Sequence, residues 1–254
     1  MTNTLIALSF AHVLADFLFQ TNWMAANKRD PLRLIAHIAV VLLTTIAAIG
    51  TLHSALFALA AAHLVLDAGK AWAPWKGLAP FLLDQTLHAA SLVMVTLWVP
   101  DLWAMGSWGT PAAGGWTSAL WASPAGPEIL PTVMVALTGL IVATRAGGFA
   151  IGLFMAQWTS ALPVEGLPNG GRAIGILERG LIFLLVITGL PEGIGFLIAA
   201  KSVLRFGAVG DDRAFSEYVI IGTLASFAWA ITASFVTVLV LQSVSPIGIP
   251  DLSP

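Results

Sequence analysis

The chain has 254 residues, of which 58% are hydrophobic and only 9% are charged, and its net charge is −2. A soluble globular protein carries about 25% charged residues, so this chain lacks the polar surface that water would require. Together with a mean hydropathy of +0.90, this composition predicts an integral membrane protein. The sequence has no basic patch of the kind that would indicate a nucleic-acid partner. The absence of cysteine excludes disulfides and thiolate metal sites.

Eight apolar stretches approach the ~20 residues that a bilayer-spanning helix requires. In chain order they lie at residues 2–22, 32–49, 53–71, 79–99, 131–157, 173–190, 192–207 and 217–241. The seventh is short and carries Lys201 and Arg205, so it could instead be re-entrant or lie in the membrane interface. We therefore predict an all-α bundle of about eight transmembrane helices.

The positive charges lie in alternate loops, which are expected to stay cytoplasmic. Both termini are therefore predicted to face outward. The long outward loop, residues 100–130, has no Lys or Arg but has four tryptophans, a residue typical of membrane interfaces: Trp103, Trp108, Trp116 and Trp121. This loop divides the chain into two four-helix halves, residues 1–99 and residues 131–254.

Histidine and aspartate residues recur inside the first four spans, where one central Asp costs roughly 2.5–3.5 kcal/mol. They are His12, Asp16, His37, His63, Asp67, Asp84 and His88. Six of them form three pairs spaced i,i+4, which place both side chains on one helix face. At 1.5 Å per residue, the three Asp and His37 lie about 6–9 Å from the cytoplasmic end of their spans and the other His about 12–15 Å. This alignment predicts a single site.

Imidazole and carboxylate ligands together suit Zn²⁺ best in this setting, with Mn²⁺ or Fe²⁺ as alternatives. Seven ligands exceed the four of one zinc. Either one metal uses four of them while the others orient the histidines, or two metals lie about 3.5–4 Å apart. Without a metal, the same residues would form a hydrogen-bonded polar core or a proton or ion pathway.

The second half carries its own charged residues. Glu178 lies about 8 Å from the cytoplasmic boundary and is predicted to be a general base or a further ligand, unless it only pairs with Arg145 or Arg179. Five basic residues are predicted to hold an anionic headgroup, although cytoplasmic anchoring explains some of them equally well: Arg145, Arg172, Arg179, Lys201 and Arg205. Gly171 and Gly175 have the G-x-x-x-G spacing of closely packed helices.

Several strings resemble a known family. AHVLADFLFQTNWM, AHLVLDAGK and FLLDQTLH resemble the bacterial membrane family catalogued as domain of unknown function 3307. The strings GRAIGILERGLIF, EGIGFLIAAKSVLRFG and EYVIIGTLASF look like its longer members. The resemblance covers nearly the whole chain outside the 100–130 loop. It implies a multi-pass protein of the bacterial inner membrane and assigns no catalytic residue.

These features together predict a metal-dependent hydrolase whose site lies inside the membrane. It would act from the cytoplasmic side on a lipid or another membrane-embedded substrate, with membrane lipids as partners. One alternative is a transporter or channel for metal ions or coupled to protons. Another is a non-enzymatic membrane protein in which the metal is structural.

Overall fold

A computed structural model describes residues 1–73, 76–109, 126–159, 167–206 and 213–244, except for the side chains of 126–128 and 204–206. Within these ranges the chain is helical and has no strand. The helices are α1 (Thr2–Leu14), α2 (Asn22–Ala26), α3 (Pro31–Ile49), α4 (Ser54–Trp72), α5 (Leu78–Trp98), α6 (Leu102–Met105), α7 (Gly126–Ile141), α8 (Gly147–Thr159), α9 (Gly170–Ile187), α10 (Gly193–Phe206) and α11 (Arg213–Val244). Trp116 and Trp121 lie outside the described residues.

Six helical segments in the described ranges are long and apolar enough to cross a membrane. They are Thr2–Phe19, Pro31–Ile49, Ser54–Trp72, Leu78–Trp98, Ile129–Thr159 and Arg213–Val244. α9 and α10 coincide with the sixth and seventh predicted spans, but α9 contains three charged residues and α10 has only 14 residues. The all-helical class is confirmed, whereas eight spans and outward termini stay predictions.

Two short π-helical turns interrupt the long helices. Ala15–Phe19 continues α1 and contains Asp16, and Val142–Ala146 joins α7 to α8 and contains Arg145. A π-turn adds a residue to the helical turn and frequently marks a functional site. Both turns here carry an ionisable side chain inside a candidate span.

The chain forms two compact units, chiefly Met1–Thr138 and Gly139–Ser243. In the first unit α1 packs against α3 and α5, while α4 packs against α3 and α5. Ala7, Ala11 and Ala15 are fully buried along α1, and their spacing of four places these small side chains on one face. Small residues let neighbouring helices approach closely.

The segment after α5 closes the end of the first unit. The Thr4 hydroxyl donates to the Pro100 carbonyl at 2.8 Å and accepts from the Trp103 backbone N–H at 3.1 Å. Trp103 is consequently only 6% exposed, and its location at a membrane interface stays a prediction. Trp108, in contrast, is partly exposed and donates from Nε1 to the Ala47 carbonyl at 2.8 Å.

In the second unit α9 packs against the π-turn Val142–Ala146, α8 and α10. Its core contains buried apolar side chains from three helices: Ile182, Val186, Ile194, Phe227, Ala230 and Val238. Gly139 contacts Thr237 so closely that any Cβ would overlap the threonine side chain. The indole of Trp229 donates to the Val142 carbonyl at 2.9 Å, which ties α11 to the π-turn.

Candidate metal centre

The structure brings all seven predicted His and Asp residues of the first unit together. α1 and its π-turn supply His12 and Asp16, and α3 supplies His37. α4 supplies His63 and Asp67, and α5 supplies Asp84 and His88. None of the seven side chains is more than 10% exposed. A buried group of three carboxylates and four imidazoles needs cations or protons to balance its charge.

Four atoms form the centre of this cluster, and we call them the tetrad: His37 Nε2, His63 Nε2, Asp16 Oδ1 and Asp67 Oδ2. The two imidazole nitrogens lie 3.2 Å apart. Asp16 Oδ1 lies 3.5 Å from each of them. Asp67 Oδ2 lies 3.3 Å from the nitrogen of His37 and 3.7 Å from that of His63.

Five of the six distances among the tetrad atoms are comparable with the edges of a tetrahedral metal site. With metal–ligand distances of about 2.0–2.2 Å for His and carboxylate ligands, the edges of a regular tetrahedron are about 3.3–3.6 Å. The five distances that involve a histidine nitrogen run from 3.2 to 3.7 Å. Asp16 Oδ1 is also buried with no hydrogen-bond partner among the described residues, as expected for an oxygen that faces a cation. His37, His63 and Asp67 form a group whose ligand atoms all lie within 4.8 Å of one another, so these three residues could hold a metal ion, with Asp16 Oδ1 beside both histidine nitrogens.

His12, Asp84 and His88 surround the tetrad. The rings of His12 and His88 stack at 5.2 Å, and the ring of His88 lies 4.1 Å from that of His63. His88 Nδ1 donates to the Asp84 backbone carbonyl at 2.8 Å. Since a carbonyl only accepts, this bond puts the proton of a neutral imidazole on Nδ1 and leaves the Nε2 lone pair free.

A second ligand group adjoins the first. Ligand atoms of Asp67, Asp84 and His88 all lie within 4.8 Å of one another. Asp67 belongs both to this group and to the tetrad. Each group could hold a metal ion, and the choice between one metal and two stays a prediction.

Two lysines bind the carboxylates of the cluster. Lys28 Nζ lies 2.7 Å from both oxygens of Asp67, and Lys70 Nζ lies 2.6 Å from Asp84 Oδ2. Lys70 therefore binds a carboxylate on the next helix and not Asp67, which lies three residues before it on α4. Asp67 binds Lys28 instead, a lysine that the sequence shows only as one of the positive charges in a loop. Asp16 has no lysine partner among the described residues.

The predicted residues of the second half lie in the second unit. Glu178 accepts from Lys201 Nζ at 2.7 Å rather than from Arg145 or Arg179, and its role as a general base stays a prediction. Arg145, Arg172 and Arg179 line one cavity, whereas the side chain of Arg205 lies outside the described residues.

The G-x-x-x-G pair does not serve helix packing as expected. A Cβ at Gly171 would meet no atom within 4 Å, and a Cβ at Gly175 would lie 2.9 Å from Arg179 Nη1. The small residue at 175 therefore makes room for a guanidinium, not for a neighbouring helix. The fifth histidine, His53, accepts a hydrogen bond from the Ala55 N–H at 3.1 Å and caps α4.

The apolar helices and their buried ligand cluster define a helical protein of membrane character with a candidate metal centre. Residues 4–108 match the family model described as "Protein of unknown function (DUF3307)", and this range contains all seven cluster residues. The match confirms the resemblance predicted from the three strings of the first half, while the later strings lie outside it. No curated protein and no solved structure matches the chain.

Proposed function

We propose that the first unit is a metal-dependent hydrolase with its site inside the membrane. His37, His63 and Asp67 would hold a divalent ion, preferably zinc, and the substrate would be an ester, amide or phosphoester of a lipid or another membrane-embedded molecule. The observation that supports this most strongly is the group formed by His37, His63 and Asp67, whose ligand atoms lie 3.2–3.7 Å from one another.

Of the four tetrad residues, Asp16 is the one whose ligand position a water molecule could most easily take. Catalytic zinc sites have three protein ligands and one open position. Asp67 is fixed by Lys28 through both oxygens, whereas Asp16 lies on a π-turn and its Oδ1 has no hydrogen-bond partner in the described residues. A small shift of the π-turn would leave this carboxylate beside the open position, where a general base belongs.

In the proposed hydrolysis, the metal ion and the side chains of the protein have separate roles. When bound, a zinc ion lowers the pKa of its water toward ~7 and polarises a carbonyl or phosphoryl oxygen. The carboxylate of Asp16 takes a proton from the attacking water while the new bond to oxygen forms. As the bond to the leaving group breaks, Asp16 returns the proton to that group. His12 Nδ1, 4.0 Å from Asp16 Oδ1, orients the carboxylate.

The surroundings of the cluster favour a substrate that arrives from lipid. Beside Asp16, Phe19 is 49% exposed, and on α5 Leu83 and Leu87 are 48% and 45% exposed. These side chains flank Asp84 and His88 with apolar surface, which a lipid chain contacts without loss of hydration. The positive charges of Lys28, Lys70 and their neighbours favour entry from the cytoplasmic side, where basic residues are expected to stay.

A structural metal is the second candidate. Structural zinc sites are closed by four protein ligands, and Asp16 Oδ1, which lies 3.5 Å from both histidine nitrogens, would supply the fourth. In that case the ion would cross-link the helices that carry its ligands, and its loss would lower the stability of the first unit. The two candidates differ in whether Asp16 is needed mainly for turnover or mainly for binding the ion.

The test uses full-length protein in lipid nanodiscs, loaded with zinc, and follows lipid hydrolysis by mass spectrometry. We expect the wild type to hydrolyse a lipid class, Asp16→Asn to keep zinc within about tenfold of wild-type affinity, and its turnover to fall at least ~100-fold. His37→Ala should lose both zinc and turnover. A wild type that binds zinc, cleaves no lipid and unfolds when zinc is removed would refute the hydrolase and support the structural metal.

A further inference from the structure

The second unit contains a cavity of ≈ 380 Å³ between the π-turn Val142–Ala146, α8 and α9. Its lining contains three arginines and no acidic residue: Arg145, Arg172 and Arg179 with Thr144, Gly148, Phe149, Ile151, Gly152, Gly171, Gly175 and Ile176. Two of these guanidiniums, those of Arg145 and Arg179, are at least partly buried, which is costly unless an anion compensates their charge.

Arg179 forms the inner wall and is only 4% exposed. Its Nε and Nη2 donate to the Thr144 carbonyl at 3.2 and 3.0 Å, and its Nη1 donates to Ser226 Oγ at 3.0 Å. All of these acceptors are neutral, and Arg179 makes no ion pair in the part of the chain that the structure describes. The nearest acid in sequence, Glu178, is bonded to Lys201. The charge of Arg179 is therefore fixed in place but not neutralised by a bonded carboxylate.

Arg145 and Arg172 form the outer wall. Arg145 is half-buried near the middle of the candidate span Ile129–Thr159, and Arg172 lies exposed in the first turn of α9. Neither makes a hydrogen bond or an ion pair with any described residue. Their donors are available to a ligand, and arginine binds phosphate oxygens through two parallel N–H bonds.

Glycines keep the cavity open around these arginines. A Cβ at Gly148 would lie 3.2 Å from Arg179 Nη2, and a Cβ at Gly175 would lie 2.9 Å from Nη1. At Gly152 and Gly171 a Cβ would meet nothing within 4 Å. The volume also lies in the range of about 300–1,000 Å³ that small-molecule sites occupy.

We propose that this cavity is a binding site for a phosphate group, held by Arg145 and Arg172 against the buried guanidinium of Arg179. The phosphate belongs either to the headgroup of an anionic lipid or to free phosphate. The inference rests on the second unit alone and holds whether or not the first unit is a hydrolase.

The experiment measures binding to the full-length protein in detergent micelles by calorimetry, with two probes. The probes are inorganic phosphate and dioctanoyl phosphatidic acid, and uncharged dioctanoylglycerol serves as the ligand control. We expect phosphatidic acid to bind at least ~10-fold more tightly than dioctanoylglycerol, because two charge-assisted contacts to arginine are made. Binding by inorganic phosphate alone would identify free phosphate as the source, and binding by phosphatidic acid alone would identify a lipid.

Two matched sets of variants locate the site. Arg145→Gln with Arg172→Gln should weaken binding at least ~10-fold, whereas Arg213→Gln, at an exposed pair with Glu217, should leave it unchanged. Gly152→Leu should fill the cavity and abolish binding. Gly195→Leu, which also meets open space, is its control.

Two outcomes would overturn the phosphate site. One is that neither phosphate probe binds more tightly than dioctanoylglycerol. The other is binding that is the same in the double arginine variant and the wild type. The zinc content of every variant should equal that of the wild type, which separates this result from any failure of the metal centre.

Discussion

The clustered histidines should differ in how much each contributes to zinc binding, and the zinc affinity of single variants tests this difference. His37 and His63 supply tetrad atoms, whereas His88 supplies none, although its ring lies 4.1 Å from the ring of His63. His37→Ala should therefore weaken zinc binding far more than His88→Ala. His53→Ala, which removes a helix cap outside the cluster, is the matched control.

The size of the effect follows from the number of ligands. Four-ligand zinc sites bind with ~10–16 kcal/mol at neutral pH, so an even share per ligand is about 2.5–4 kcal/mol. Losing one ligand should then cost roughly 10²–10³-fold in affinity, at ~1.4 kcal/mol per tenfold. Removing a residue that only orients a ligand lowers metal affinity about 10–100-fold. We therefore expect His88→Ala to lower zinc affinity by nearer tenfold.

The assay is competition with a chromophoric chelator, combined with elemental analysis of the purified protein. Circular dichroism should show that each variant keeps the helix content of the wild type. Equal zinc affinity in His37→Ala and the wild type would refute the tetrad. Equal losses in His37→Ala and His88→Ala, with two zinc ions per wild-type chain, would replace the single tetrahedral site by the two-metal arrangement.

Three more predictions follow from contacts of the two units. Lys28→Met should tighten zinc binding about tenfold, because the ammonium competes for Asp67; weaker binding in the competition assay would contradict this. Gly139→Ala should lower the free energy of unfolding by about 1–3 kcal/mol, since its Cβ overlaps Thr237, whereas Gly195→Ala should not, as denaturation in mixed micelles would show. Chelation should lower the unfolding temperature of the wild type but not of a zinc-free variant; equal shifts would exclude a metal that stabilises the fold.

The helices were predictable because their determinants are local. The predicted spans 32–49 and 79–99 differ by a single residue at most at either end from α3 and α5. At α3 the boundaries have clear causes: Pro31 occupies the first turn after the Asp30 cap, and Gly50 adopts a left-handed φ of 79° at the end. The meeting of the His/Asp pairs was also predictable, since spacing and depth together fix the face and the layer of each side chain.

The individual contacts were not predictable, because they depend on which helices are neighbours. Lys28 and Asp67 are 39 residues apart, and no spacing rule connects them. Lys70 lies three residues after Asp67, which suggested a pair on one helix, yet it bonds to Asp84 on the next helix. The π-turn at Ala15–Phe19 has no signature in the sequence that distinguishes it from ordinary helix.

The burial of Asp16 has a consequence for synthesis of the protein. In a chain that inserts into a membrane, the segment Thr2–Phe19 would leave the ribosome before His37 and His63 are made, so Asp16 would meet the insertion machinery without its later neighbours. The mean hydropathy of the Asp-bearing spans is only 1.3–1.4, against 2.2 for Pro31–Ile49. An unpartnered Asp costs several kcal/mol in a bilayer. We therefore expect these helices to leave the insertion machinery as a group, with a nascent chain truncated after α1 failing to integrate stably.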